Sequence, residues 1–387
     1  MNKETKKNED IISLKNQNGD NLNPPRKIKP RRNVSVQQRK RTNKNFNFNS
    51  FLPKAVHQSS NPGIIGLMNE GENSDFINAV IQCFSNIGRF RIELIHLESN
   101  KLFNKKISSS FAEVLKNLWV NLKNRTYSPK NFIETIKNNY NFNYKFEEFI
   151  NFLLNNIHNE LNISNNSNLI LKKDVQLSYD IYINFNNFQY FKNSYEKLNN
   201  SIISREFVGY LGILDFCENC HQNDIITFKT FETLSFHVNE IIEKNQNNLV
   251  RIYQCFEYYE RKQENMKCRI CNSQKYKKFD LLYMPSSLII TLNYGNKTNA
   301  KLILEEYLNL PDYVTYNKES PYFYELVGFI VYLENNNQNP NHFIAYCKNS
   351  DNCLWYQYDN DKVVRSSFID VASHMQPSVL FYRYVTT

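Results

Sequence analysis

The 387-residue chain predicts an α+β fold. Two observations carry that expectation. Apolar residues recur at helical spacing between residues 70 and 165, and short aromatic, β-branched runs set off by turn residues fill the chain after residue 200. Helices followed by strands, rather than alternating with them, point to a helical lobe beside an antiparallel sheet. An apolar fraction of 41%, with 28 Phe and 25 Tyr, is enough for a sizeable core. No apolar run approaches the ~20 residues of a membrane span. The opening "MNKETKKNED" is too polar for a secretory signal, so the expected address is intracellular, nuclear or cytoplasmic, with reduced thiols.

Residues 1–60 carry 14 Lys/Arg against 4 Asp/Glu, a net of +10, while the whole chain is +9. The body is therefore near neutral, and any nucleic-acid contact or nuclear-import signal rests on the tail alone. With "PPRKIKPRR" and "QRKR" and no sustained hydrophobic period, residues 1–60 read as a disordered basic tail.

The first element of the body is "DFINAVIQCFSNI", with Phe76, Ile77, Val80, Ile81 and Phe84 at helical spacing. "SSSFAEVLKNLWVNLKN" is a second amphipathic helix. "SPKNFIETIKNN" is a third, with Ser128 as the expected N-cap and Pro129 in the first turn. "YKFEEFINFLLNNIHNEL" is a fourth. The strand readings are "REFVGYLGILDFC", "IITFKTFETLSFHV", "KKFDLLYMPSSLIITLNYG", "FYELVGFIVYL", "HFIAYCK", "LWYQYDNDKVV" and "SVLFYRYV". The Asn-rich stretches 162–168 and 335–341 read as surface loops.

Chemistry is signalled first by cysteine spacing. "CENC" supplies Cys217 and Cys220, and "CRIC" supplies Cys268 and Cys271. Each pair sits on a tight turn that aims two sulfurs at one ion, which suits a closed, structural tetrahedral zinc site. Cys83, Cys255, Cys347 and Cys353 read as packing residues. Near the C-terminus His342 opens one strand, and Asp359 and Asn360 lie about one hairpin later. A carboxylate beside the imidazole Nδ1 is the orienting half of a triad.

Taken together these segments resemble the ubiquitin-specific protease family of cysteine deubiquitinases, over roughly residues 62 to 385. Its first box, G-L-x-N-x-G-N-T-C-Y-x-N-x-x-L-Q, is matched by Gly66, Leu67, Asn69, Gly71, Asn78 and Gln82. Its second, G-H-Y-x-A-Y with W-Y-x-F-D-D, is similar to His342–Tyr346 and Trp355–Asn360. The resemblance implies a papain-like fold: a helical thumb about 61–200, zinc-bearing β fingers about 201–285 and a β-rich palm about 286–387. Ubiquitin or a ubiquitinated protein is the implied partner, nuclear proteins are further partners to expect, and no membrane is involved.

The departures bear on activity. Counting back from Asn78, the nucleophile position falls on Asp75, with Asn73 at the oxyanion-donor position. Counting forward from Gly71, it falls on Ser74. Neither is Cys. The tail-gripping Q-Q-D-A is replaced by "NYKF", residues 143–146, and the glycine before the histidine by Asn341. The leading expectation is a pseudoenzyme scaffold. The alternatives are a deubiquitinase working through Ser74 or another nucleophile, and a relative of the family's inactive splicing member.

Overall fold

The computed structural model describes residues 61–385, apart from 100–105, 123, 143–144, 165–170, 179, 223, 262, 297–299, 317–321, 334–341, 369–371 and 373–375. The basic tail, Asn341 and most of both Asn-rich stretches lie outside the described residues.

Helices come first. Strand β1 (Gly66–Leu67) leads into α1 (Ser74–Ser85), α2 (Gly88–Ser99) and α3 (Lys106–Trp119). Strand β2 (Thr126–Tyr127), parallel to β1, precedes α4 (Lys130–Lys137) and α5 (Phe146–Leu161). Helix α1 is buried around its whole girth, and its buried polar side chains, Asn78 and Gln82 among them, are hydrogen-bonded. All of its residues are buried except Asp75. Ser128 does not cap α4: Pro129 precedes the helix, and the Ser128 hydroxyl donates instead to Glu70.

Next come β3 (Asp174–Gln176), α6 (Ile181–Leu198), α7 (Ile202–Glu206), β4 (Gly209–Cys217), β5 (Ile225–Phe231), β6 (Thr233–His237), α8 (Val238–Asn245), β7 (Leu249–Arg251), α9 (Ile252–Tyr259), β8 (Gln263–Lys267) and β9 (Gln274–Tyr283). The chain ends in β10 (Ser287–Asn293), β11 (Lys301–Ile303), β12 (Tyr307–Asn309), β13 (Phe323–Leu333), β14 (His342–Lys348), β15 (Trp355–Asp359), β16 (Lys362–Arg365) and β17 (Pro377–Tyr384).

Two main sheets result. One runs β16-β15-β14-β13-β17-β10-β6, with β12 on β13; the other runs β3-β5-β4-β9-β8. The larger sheet is buried on both faces, and residue alternation along each strand sorts side chains between two cores. Along β14, Phe343, Ala345 and Cys347 join Phe76, Val80, Leu115 and Leu154 under the helices. Ile344 and Tyr346 face the opposite core with Ile241, Ile252 and Phe256 of α8 and α9. A third, small core lies between α6 (Phe188, Phe191) and the base of the five-stranded sheet (Tyr210, Ile226, Phe228, Leu282). No helix of the described residues is long and apolar enough to cross a membrane.

Five helices of the described residues, α2, α6, α7, α8 and α9, are not among the four that the sequence reading picks out. Helix α6 carries Asn184, Phe188, Phe191 and Ser194 inward at spacings of four and three. Ile181, Tyr182, Ile183 and Tyr190 remain exposed, so its apolar pattern is blurred. Helices α8 and α9 are eight residues each, too short for a clear period among so many aromatics. The run 225–238 is two strands, and the run 277–295 is broken at Pro285 into β9 and β10.

Candidate active site and cysteine cluster

The site is assembled where the N-terminus of α1 meets the ends of β14 and β15. Gly71 (φ +93) and Asn73 (φ +65) turn the chain into the helix in the left-handed region, which Gly and Asn tolerate best. Asp75 lands in the first turn, where the helix dipole favours an anion. One of its oxygens accepts from the Phe76 backbone N–H at 2.8 Å, the other from the Phe343 N–H at 3.3 Å.

His342 stands between two carboxylates. Its Nδ1 lies 3.5 Å from Asp75 Oδ2, and its Nε2 lies 3.0 Å from Asp359 Oδ1. The sequence reading set a carboxylate beside Nδ1 as the orienting group; in the structure Asp359 meets Nε2, and Nδ1 faces α1. The three side chains are 14%, 18% and 30% exposed for Asp75, His342 and Asp359, so all are reachable from outside but largely enclosed.

Ser74 is elsewhere. It is fully buried, and its hydroxyl accepts from the Glu70 N–H at 3.1 Å. Asn73 has a buried Oδ1 without a partner among the described residues. Asn360, in the left-handed region at φ +50, accepts from Asn78 Nδ2 at 2.9 Å. Asn78 also donates to the Met68 carbonyl at 3.1 Å, and Gln82 Nε2 to the Ile65 carbonyl at 2.9 Å. The matched Asn and Gln of the first box thus clamp α1 to the strand before it and to the turn after Asp359.

Gly66 is required by that same turn. A Cβ there would sit 2.3 Å from the Asp361 carbonyl oxygen. Gly66→Ala is therefore expected to displace the Asn360–Asp361 turn and cost about 1–3 kcal/mol, the usual range for overpacking. The check is thermal unfolding, which should show a lowered midpoint.

The remaining thiols are remote or blocked. Cys83 lies eight residues beyond Asp75, about 12 Å along the axis. It is fully buried with its sulfur 3.7 Å from that of Cys347. Burial pushes the Cys83 thiol up, and that of Cys255 up to about 12. Cys353 is exposed on the turn between β14 and β15.

The four finger cysteines do come together. Cys217, Cys220, Cys268 and Cys271 place their sulfurs within 4.8 Å of one another and could hold a metal ion. The two turns are built alike. His221 N–H donates to the Cys217 carbonyl at 3.0 Å, and Asn272 N–H to the Cys268 carbonyl at 2.9 Å. The residue after each second cysteine, His221 or Asn272, is left-handed. Hydrogen bonds from the Ser273 side chain and backbone and from Asn219 hold the Cys271 thiol down at about 5, and the backbone N–H groups of Cys271 and Ile270 lower that of Cys268.

Sequence reasoning missed the aromatic packing beside the site. Phe146 stacks on Phe76 with ring centroids 4.3 Å apart and meets Phe343 edge-on at 5.3 Å. The available signal was a phenylalanine where the resembled box has alanine.

The family described as ubiquitin carboxyl-terminal hydrolase (UCH) matches residues 65–382. A protein named probable ubiquitin carboxyl-terminal hydrolase 4 of Schizosaccharomyces pombe is 27% identical over 267 residues, 62% of this chain and 44% of that protein. Ubiquitin carboxyl-terminal hydrolase 2 of Homo sapiens is 24% identical over 359 residues, 84% of this chain and 56% of that one. The chain thus spans about half the length of these curated relatives. Among solved structures, a chain of the yeast SAGA DUBm with an Sgf73 mutant has TM-score 0.63 at 20% identity, covering 88% of this chain and 73% of its own. A SAGA DUB module chain with Ubp8, bound to monoubiquitin, has TM-score 0.62 at 21% identity, with the same coverages. At these identities the likeness is one of fold: helical thumb, β-rich palm and β fingers.

Proposed function

The chain belongs to the ubiquitin carboxyl-terminal hydrolase family, and we propose that it is a member that holds ubiquitin, or a protein carrying it, as a scaffold without cleaving the bond. The observation that carries this is the carboxylate of Asp75 facing His342 Nδ1. A thiolate attacks a carbonyl because sulfur is nucleophilic near neutral pH. A carboxylate is a poor nucleophile toward an amide, and the anhydride it would form reverts readily.

Both ring nitrogens of His342 face a carboxylate oxygen, so Asp75 and Asp359 hold the ring from either side and keep the shape of the site. Ser74 does not replace the thiol, because its hydroxyl is fully buried and turned to Glu70.

Zinc fits the finger cysteines. Four sulfurs at about 2.3 Å from one ion stand about 3.8 Å apart in a tetrahedron, and the Cys217–Cys271 and Cys220–Cys268 separations are 3.5 and 3.6 Å. Four thiolates close the coordination sphere, so the ion would tie the two turns together and take no part in a reaction.

Two measurements test the reading. Wild-type protein mixed with ubiquitin bearing a fluorogenic leaving group should show no turnover that His342→Ala abolishes, and calorimetric titration with ubiquitin should show binding. His342-dependent turnover would overturn the loss of catalysis. A flat titration would overturn the scaffold.

A further inference from the structure

The two cysteine turns of the fingers are closed by different groups. In the second turn the Cys268 N–H donates to a backbone carbonyl, that of Ser273, at 2.7 Å. In the first turn the matching N–H, that of Cys217, donates to a side chain: Asp224 Oδ1 accepts it at 2.8 Å. The other carboxylate oxygen, Oδ2, lies 3.5 Å from Nδ1 of His221, the residue after Cys220. The His221 N–H in turn donates to the Cys217 carbonyl at 3.0 Å. One carboxylate therefore reaches both ends of the "CENC" run. Its own backbone is anchored too, because the Asp224 carbonyl accepts from the Leu177 N–H at 2.9 Å, just past β3.

The placement of Asp224 is costly. Its side chain is 5% exposed, at an end of the sheet where little else is buried. A buried carboxylate loses its hydration. This one also stands behind a cysteine that is an anion when it ligates a metal, and like charges disfavour each other. Geometry is what it supplies in return. The N–H of Cys217 is buried with its residue and needs an acceptor. Groups that orient metal ligands from behind matter to affinity, and removing one typically costs about 10–100-fold. The four sulfurs cluster without the carboxylate, so it orients a ligand and is not one.

We infer that Asp224 is a positioning residue for the finger metal: by accepting the Cys217 N–H it aims that sulfur at the point where Cys220, Cys268 and Cys271 meet one ion. The inference rests on the zinc reading above and is independent of what the Asp75–His342 site does.

The full chain is used for the test. Zinc affinity is read by competition with a chromogenic chelator, and cobalt(II) is exchanged in to record the sulfur-to-metal absorption of a four-thiolate site. Asp224→Ala is expected to weaken zinc binding by about 10–100-fold yet to reach the wild-type cobalt spectrum at saturation, because four sulfurs still ligate. Asp224→Asn keeps an oxygen that accepts the Cys217 N–H and should bind close to wild type. Asp174→Asn changes an acid on the same sheet that accepts from the Thr227 hydroxyl at 2.6 Å, away from the cysteines, and should bind like wild type. Circular dichroism melts check folding; if Asp224→Ala has unfolded, Asp224→Leu, similar in size and without an acceptor, takes its place. Unchanged zinc affinity in Asp224→Ala would overturn the role, as would an Asp224→Asn variant as weak as Asp224→Ala. An altered cobalt spectrum at saturation would make the carboxylate a ligand and overturn it as well. Wild-type protein that binds neither ion sinks the zinc reading and this inference with it, whereas wild-type binding that Asp224→Ala leaves intact sinks the positioning role alone.

Discussion

Asp75→Cys is expected to cleave a fluorogenic ubiquitin conjugate about 10³-fold faster than wild type, the scale on which a positioned general base acts. The argument starts from His342. Removing the Asp75 carboxylate leaves Nδ1 facing a thiol and Nε2 still oriented by Asp359 at 3.0 Å. That is the arrangement in which imidazole takes the thiol proton, and the start of a helix stabilises the thiolate that results. The support is already in place, since Asn78 ties α1 to the turn carrying Asn360. The measurement is initial rate for the wild type and Asp75→Cys, each with a His342→Ala control. No gain in Asp75→Cys, with folding intact, would show that more than a nucleophile is missing.

Much of this arrangement could be read from the chain, and what could not has physical causes. Helix α1 and strand β14 are strongly patterned, and the two C-x-x-C pairs are local geometry, so each is visible within a few residues. The choice between Ser74 and Asp75 is not local. It depends on which side chain the fold turns toward His342, and Asp75 faces it while Ser74 is fully buried. The ring cluster beside the site is further from view. Phe76, Phe146 and Phe343 are brought together from three distant parts of the chain, and none is unusual where it stands. Ile181, Tyr182 and Ile183 mislead in the opposite way, since an apolar triplet that suggests burial is exposed at the start of α6.

Removing the metal from the fingers should loosen them while the helical core stays folded. Beyond Leu214 and Phe279 the five-stranded sheet has little to hold it: no described residue of β8 is buried, the first seven residues of β9 are only half-buried, and the third core reaches only the base of the sheet. Such regions open locally at low free energy. The buried atoms at the tip are chiefly those of Cys217 and Cys268 themselves. Structural zinc contributes about 10–16 kcal/mol of apparent binding energy in small finger peptides, far more than a half-exposed ladder supplies. Purified protein is therefore expected to carry one zinc per chain by elemental analysis. After chelation, or in Cys268→Ser, amide exchange in residues 215–222 and 264–277 should accelerate by about 10³-fold, equivalent to ~4.1 kcal/mol, while α1 and β14 exchange as before. Loss of the fingers should also weaken ubiquitin binding without touching the Asp75–His342 pair. Unchanged exchange in the chelated fingers would mean that the ladder, and not the metal, holds them.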